Sequence, residues 1–311
     1  MHEFDIIQTY FKRPAKHSYV DLSVGDDAAL LSIPANHQLA ISVDTMVEDQ
    51  HFFSGTPPES LGHKILAVSL SDLAAMGALP IAFELSLTLP KADEAWLTAF
   101  SKGLFDLAKR YAVDLVGGDM TKGPLSMTSI VQGLVPTKQA LTRSGAQIGD
   151  LIFVTGALGA PAYVVEAFKQ SQPISAALWQ TLYYPEPRVT LGLALRNMAT
   201  ACIDLSDGLA QDLQHVLSAS EVGATLYTDQ LPLHSLIANF EHAKQYALTG
   251  GDQYELCFTV PAHLVNQVKI VAELSKVKVT QVGQIEAGDA LICLDENHQQ
   301  IFLTQAGFQH F

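Results

Sequence analysis

The sequence predicts a two-domain protein of α/β (α+β) class, with an N-terminal mixed sheet flanked by helices and a C-terminal α/β domain. Three observations carry that expectation. At 311 residues, 48% hydrophobic and 16% charged, the chain is long for one core and apolar enough to build two. Residues 82–89, Ala-Phe-Glu-Leu-Ser-Leu-Thr-Leu, alternate strictly, which is the period of a half-buried strand, most simply antiparallel. Further on, Leu151-Ile152-Phe153-Val154 enters a glycine turn at 155–161 and then a helix, a strand–turn–helix unit. A turn-rich join at 136–149 separates the halves, giving domains at 1–137 and 138–311.

The elements follow in order. Residues 6–11 read as a short helix packing Ile6, Ile7, Tyr10 and Phe11. An acidic loop at Gly25-Asp26-Asp27 leads to strands at Leu30 and 39–43. Pro57 and Pro58 open a helix to Met76, with Gly77 as its C-cap and Pro80 beyond. Its apolar stripe is Leu61, Ile65, Val68 and Met76. A helix over 93–111 carries Trp96, Phe100, Leu104 and Leu107 on one face, with acids first and Lys109-Arg110 last, as its dipole favours. Strands near 115–119 and 126–135 complete this half. Pro185, Pro187 and Arg188 then open a helix through Met198, and another runs through Leu213, Val216 and Leu217. Strands at Thr225, 254–260 and 291–294 and a helix near 264–274 finish the chain.

Composition excludes several functions. A net charge of −14 argues against a general nucleic-acid or anionic-membrane binder. Cys202, Cys257 and Cys293 are odd in number, widely spaced and set in apolar runs, which fits buried reduced thiols and a cytoplasmic protein. The acidic start Met1-His2-Glu3-Phe4-Asp5 lacks a signal-peptide core, and no apolar run is long enough to span a bilayer.

The chemistry lies in the aspartates. Asp26 and Asp27 are adjacent anions between apolar residues, costly to desolvate without a compensating cation or donor. Alone they also read as a solvated Gly-Asp turn. Asp44, Asp119, Asp204 and Asp252 each follow an apolar, strand-like run, twice through a Gly-Gly pair that lets backbone approach a ligand. Carboxylates delivered this way to strand ends suit Mg²⁺, which takes a few carboxylates plus substrate phosphates. Asp72 falls on the apolar stripe of its helix, where metal ligation is favoured over a buried ion pair because no basic residue follows Lys64 in that helix. His51 is a ligand contact or a loop histidine. The glycine turn at 155–161 lacks the P-loop ending and is a weak phosphate signal. In Asp204-Leu205-Ser206-Asp207-Gly208, Asp204 or Ser206 can cap the following helix, which leaves the other polar residues for another role.

With these residues in place the chain resembles the thiamine-monophosphate kinase family of the aminoimidazole-ribonucleotide-synthetase-like ATP-binding superfamily. The matching stretches are Gly25-Asp26-Asp27-Ala28-Ala29, Asp44-Thr45-Met46-Val47 with His51-Phe52, and Ser71-Asp72-Leu73-Ala74-Ala75-Met76-Gly77-Ala78. They continue with Gly117-Gly118-Asp119-Met120-Thr121, Thr142-Arg143-Ser144-Gly145, Asp204-Leu205-Ser206-Asp207-Gly208 and Gly250-Gly251-Asp252-Gln253-Tyr254-Glu255-Leu256.

The resemblance implies ATP-dependent phosphorylation of thiamine monophosphate to thiamine diphosphate. It implies several Mg²⁺ ions held by Asp27, Asp44, Asp72, Asp119 and Asp204, with Ser42 and Asp207 as further ligands. It implies ATP contacts at Gly118, Asp119, Arg143 and Ser206, and substrate contacts at His51, Asp252 and Phe308. It also implies a homodimer formed through the N-terminal sheets. The chain departs from the family pattern at Val43, where a threonine is common, at Asp49-Gln50, where a glycine-containing pair is usual, and at Gln253, where an aspartate often stands. Two rival readings remain: a superfamily enzyme acting through a phosphorylated intermediate, and a catalytically silent ATP- or metal-binding scaffold. A selenide enzyme of this superfamily would want a reactive Cys or selenocysteine in a glycine-rich N-terminal segment, and none is present.

Overall fold

A computed structural model describes residues 2–303 and Gly307. The chain divides into two compact units, Met1–Leu73 with Ala78–Lys138, and Ala74–Gly77 with Gln139–Phe311.

In the first unit a short ribbon of β1 (Val20–Leu22) and β2 (Leu30–Leu31) accompanies a four-stranded sheet. That sheet comprises β3 (His37–Val47), β4 (Leu79–Leu89), β5 (Asp114–Lys122) and β6 (Ser126–Pro136), in the order β3-β6-β4-β5. The alternation at 82–89 does give a strand, with Leu85, Leu87 and Leu89 buried. It is antiparallel to β6 but parallel to β5, so the simple antiparallel expectation holds on one side only. The parallel pair arises because helix Glu94–Tyr111 carries the chain back between β4 and β5.

Helix Pro58–Ala75 ends as the sequence indicates. Gly77 takes φ 60°, and the amides of Gly77 and Ala78 donate to the carbonyls of Ala74 and Leu73. The helix is buried nearly all round rather than along one stripe. Between positions 60 and 75, Asp72 alone is not fully buried. Helix Glu94–Tyr111 is capped by Asp93, whose carboxylate accepts from Trp96 N at 3.0 Å, and buries Phe100, Leu104 and Leu107. The first residues form an α-turn, Glu3–Ile6, passing into a π-turn, Ile7–Phe11, with Ile6 and Phe11 buried.

The second unit holds a seven-stranded sheet. Its strands are β7 (Leu151–Thr155), β8 (Ala201–Asp204), β9 (Gly223–Tyr227), β10 (Leu256–Val260), β11 (Val279–Glu286), β12 (Leu291–Leu294) and β13 (Gln300–Ile301), ordered β13-β12-β9-β11-β7-β10-β8. β12 runs parallel to β9 and the remaining pairs are antiparallel. Helices Ala160–Lys169, Leu209–Ser220, Ala243–Thr249 and Val265–Leu274 belong to this unit, and Ile152, Val154, Ile203, Leu213, Val216 and Val282 lie in its core. The three cysteines are free and buried, and burial pushes the Cys293 thiol up to about 11.

Candidate functional site

Strand β3 does not end at Asp44. It continues to Val47, because Asp44 pairs in register with Ser129 of β6. Period-two geometry then puts Ser42 and Asp44 on one face and Ile41 and Val43 on the other. The Ser42 hydroxyl donates to the Asp72 carboxylate of helix Pro58–Ala75 in a short hydrogen bond. Burial, reinforced by the charge of Asp72, pushes the Asp44 carboxyl up to about 6, against the pull of a hydrogen bond with Ser69. Asp44 Oδ2 is buried with no hydrogen-bond partner. Two carboxyls and a hydroxyl thus meet at the one position between 60 and 75 where the helix is not fully buried.

A second acidic feature of the same unit is a cleft of about 560 Å³ whose lining includes Gly25, Asp26, Asp27, Gly117, Gly118 and Asp119, with Phe4, Ile7 and Leu87 among its apolar residues. Asp26 and Asp27 are both exposed, so the adjacent anions escape the desolvation cost that their apolar neighbours suggested. Asp26 turns back to accept from Asp27 N at 2.8 Å. Gly118 has φ 149° and sits so close to Leu85 O that a Cβ would approach it to 1.9 Å, which leaves glycine as the residue that fits. Asp119 lies inside β5, opposite Ser86, rather than at a strand end. Lys12, which sequence reasoning passed over, also lines this cleft, its Nζ 3.6 Å from where a Gly25 Cβ would stand.

The cleft lining does not include Ser42, Asp44 or Asp72. Among the described residues, no group of three or more His, Cys, Asp or Glu is gathered as a metal-ligand set. Within the first unit the Ser42, Asp44 and Asp72 group and the Asp26, Asp27 and Asp119 carboxylates of the cleft are the acidic features described. The donor chemistry still suits a hard cation: oxygen ligands only, and one buried carboxylate oxygen left unsatisfied. Phosphate oxygens and water would complete such a shell. His51 Nδ1 accepts from Val47 N at 3.1 Å, so the proton of the neutral ring sits on Nε2.

In the second unit Asp204 is the last residue of β8 and is buried, Ser206 is exposed and Asp207 half-buried. Neither Asp204 nor Ser206 caps the next helix. Its N-cap is Gly208, and Asp212 reaches back from within the helix to accept from Asp207 N and Gly208 N, each at 3.0 Å. Burial raises the Asp212 carboxyl to about 7. A buried acid at that helix position was the available signal, and the apolar pattern hid it. Arg143 is exposed on a loop whose carbonyl and following amides are held by Ser220 Oγ. Asp252 follows a helix, not a strand, and takes φ 62°. Phe308 lies outside the described residues.

The AIR synthase related protein family matches the chain twice, its N-terminal domain at residues 25–135 and its C-terminal domain at 147–295. The thiamine-monophosphate kinase of Escherichia coli K12 is 43% identical over 318 residues, covering 99% of this chain and 98% of that protein. The chain belongs to the thiamine-monophosphate kinase family. The Bacillus subtilis relative is 35% identical over all of both chains. The crystal structure of thiamine-monophosphate kinase from Stenotrophomonas maltophilia superposes with a TM-score of 0.88 at 40% identity, covering 94% of this chain and 96% of that one. AaThiL complexed with AMPPCP and TMP superposes at 0.79 with 27% identity, covering 93% and 92%. Hydrogenase maturation protein HypE, at 17% identity and 0.80, shares the fold.

Proposed function

We propose that the protein transfers a phosphoryl group from ATP to thiamine monophosphate, forming thiamine diphosphate. The observation that carries this reading is the full-length match to thiamine-monophosphate kinases, one of whose solved structures holds both AMPPCP and TMP.

The chemistry agrees with the residues. The acceptor is a phosphate oxygen, already anionic near neutral pH, so it needs no general base. The chain's task is to bring two anions together and hold them in line. In this reading Ser42, Asp44 and Asp72 hold Mg²⁺ on the first unit, and Asp27 and Asp119 do so at the cleft, with Gly118 presenting backbone to the nucleotide. Asp204 and Asp207 are the metal ligands of the second unit, where Arg143 and Ser206 contact ATP. Bound Mg²⁺ supplies charge neutralisation between the phosphates. Arg143 adds a fixed positive charge of its own. His51 and Asp252 contact the thiamine side, and a carboxylate there suits a cationic thiazolium.

We also propose a homodimer formed through the outer face of the first sheet. Ile41, Val43 and Ile130 are 62%, 60% and 37% exposed there, with Val43 and Ile130 directly paired, an apolar strip that a monomer would leave wet. Among the described residues no helix is long and apolar enough to cross a membrane, and buried free thiols fit a reducing cytoplasm. The deciding experiment is product analysis after incubation with ATP, Mg²⁺ and thiamine monophosphate. Thiamine diphosphate and ADP in equal amounts are expected. Absence of thiamine-dependent ADP overturns the assignment.

A further inference from the structure

The turn that precedes β10 carries strain that something must hold. Asp252 and Tyr254 both adopt left-handed backbone, at φ 62° and 50°, though neither is glycine. The residue between them is Gln253, which is buried. Its carboxamide oxygen accepts from Gly159 N at 2.9 Å, while its nitrogen donates to Gly250 O at 3.0 Å and Gly251 O at 3.1 Å. One side chain thus ties the Asp252 turn to the glycine turn that begins helix Ala160–Lys169. The turn has no slack on its other sides. A Cβ on Gly251 would meet Ser206 O at 2.6 Å, and one on Gly250 would meet the Ala162 Cβ at 2.1 Å. Asp252 N and Tyr254 N donate to Ser206 O and Leu205 O, at 2.9 and 2.8 Å.

We infer that Gln253 is a positioning residue: by donating to two carbonyls and accepting one amide, it fixes the left-handed turn that aims Asp252 at the thiamine substrate. The inference rests on the proposed kinase reading, in which Asp252 contacts substrate. In this chain the amide makes all three bonds, which the aspartate common at this position in the family could not. An aspartate or glutamate could take the Gly159 N–H but would set a carboxylate against the Gly250 and Gly251 carbonyls, with no donor to offer them. The neighbouring Asp207-Gly208 turn is held separately, by Asp212. Loss of the clamp should therefore reach the Asp252 side first.

The test uses Gln253→Glu, which keeps length and the acceptor, and Gln253→Met, which keeps only length. Amide hydrogen exchange of residues 250–254 is measured first, without substrate. Both variants should exchange faster there and at Gly159, with β4 unchanged. Unaltered exchange would show that the clamp holds nothing. Steady-state kinetics follow. KM for thiamine monophosphate should rise about tenfold in Gln253→Glu, the scale of a lost buried hydrogen-bond set. KM for ATP should move by no more than about twofold, and kcat less than KM for thiamine monophosphate. Faster exchange with unchanged KM values would separate the turn from substrate binding and overturn the positioning role. A general fall in melting temperature with both KM values moving together would mark Gln253 as merely structural. Wild-type protein that does not phosphorylate thiamine monophosphate would instead sink the kinase reading, and the exchange arm still decides the clamp.

Discussion

The two faces of strand β3 reverse the usual arrangement. The face turned toward helix Pro58–Ala75 carries Ser42 and Asp44, which meet Asp72 and Ser69, while the face turned to solvent carries Ile41 and Val43. A strand selected only for folding would bury the isoleucine and expose the acid. The inversion costs stability on both sides: a carboxyl held near pH 6 within, and an apolar strip in water without. It makes sense if each face awaits something absent from the isolated chain, a cation with phosphates on one and a second copy on the other.

Breaking the inner face should produce the largest effect. Asp72→Asn keeps the shape and the Ser42 hydrogen bond but removes a charge. Activity with thiamine monophosphate should fall at least about a hundredfold, with a raised Mg²⁺ requirement. The metal-free protein should melt no lower than wild type, because Asp44 loses the neighbour that repels it. A variant that melts much lower yet keeps normal Mg²⁺ dependence would make Asp72 a structural residue.

The outer face is tested by Ile41→Lys combined with Val43→Lys. Light scattering should give wild type about twice 33.6 kDa and the variant the single-chain mass. Both substituted side chains point to solvent, so folding should survive. A wild-type monomer at micromolar concentration would leave the apolar strip without the proposed occupant.

The cleft sharpens the contrast, since its acids are not buried. Asp27→Asn should reduce activity by about tenfold or more while the ligand-free melting temperature stays where it was, because an exposed carboxylate carries no desolvation penalty to relieve. Raised stability in this variant, measured at low salt, would show that Asp26 and Asp27 repel each other strongly despite their exposure.

How much of this could be read in the residues depends on what physics each feature uses. Strand β4 and helix Glu94–Tyr111 were legible because one period runs through each, and Asp93 caps the helix as its position suggests. Strand β11 was not, because a bulge between Gln281 and Gly283 spaces the apolar residues Val279, Val282 and Ile285 three apart and erases the alternation. Helix Ala243–Thr249 was hidden because its short apolar run, Ala247-Leu248, reads equally as a strand. Asp72 stood out as an acid on an apolar helix, and the structure puts it beside Ser42 and Asp44. The place of Asp119 within β5 and the exposure of Asp26 and Asp27 were not legible, since strand register and solvation decide them, and neither is written in spacing. The Gln253 clamp joins the adjacent Gly250-Gly251 carbonyls to the distant Gly159 amide, and no local pattern reveals that second segment.

The smallest expected effect concerns Asp212, the acid that sequence reasoning missed. It is the second unit's counterpart to Asp44: a buried carboxyl, but one whose oxygen accepts two backbone amides. Burial is the largest influence on it and raises it from 3.8 to about 7, ahead of the lowering from those amides. The sign follows. Below the unfolded value both states hold the proton and the group contributes nothing adverse. As pH rises, the unfolded chain releases the proton first while the folded chain keeps it, so stability falls through the window from about 3.8 to about 7 and stays reduced above it. Asp212→Asn removes that titration and retains an oxygen to accept from the 207–208 turn. Thermal melts without Mg²⁺ should therefore show the variant gaining on wild type between about pH 4 and about pH 7, by at most a few kcal/mol, with the difference level above that. A variant less stable than wild type near pH 8 would mean that the two amide donors outweigh burial and that the carboxylate is charged in the folded protein. Asp212 would then differ in kind from Asp44, whose Oδ2 has no such donors.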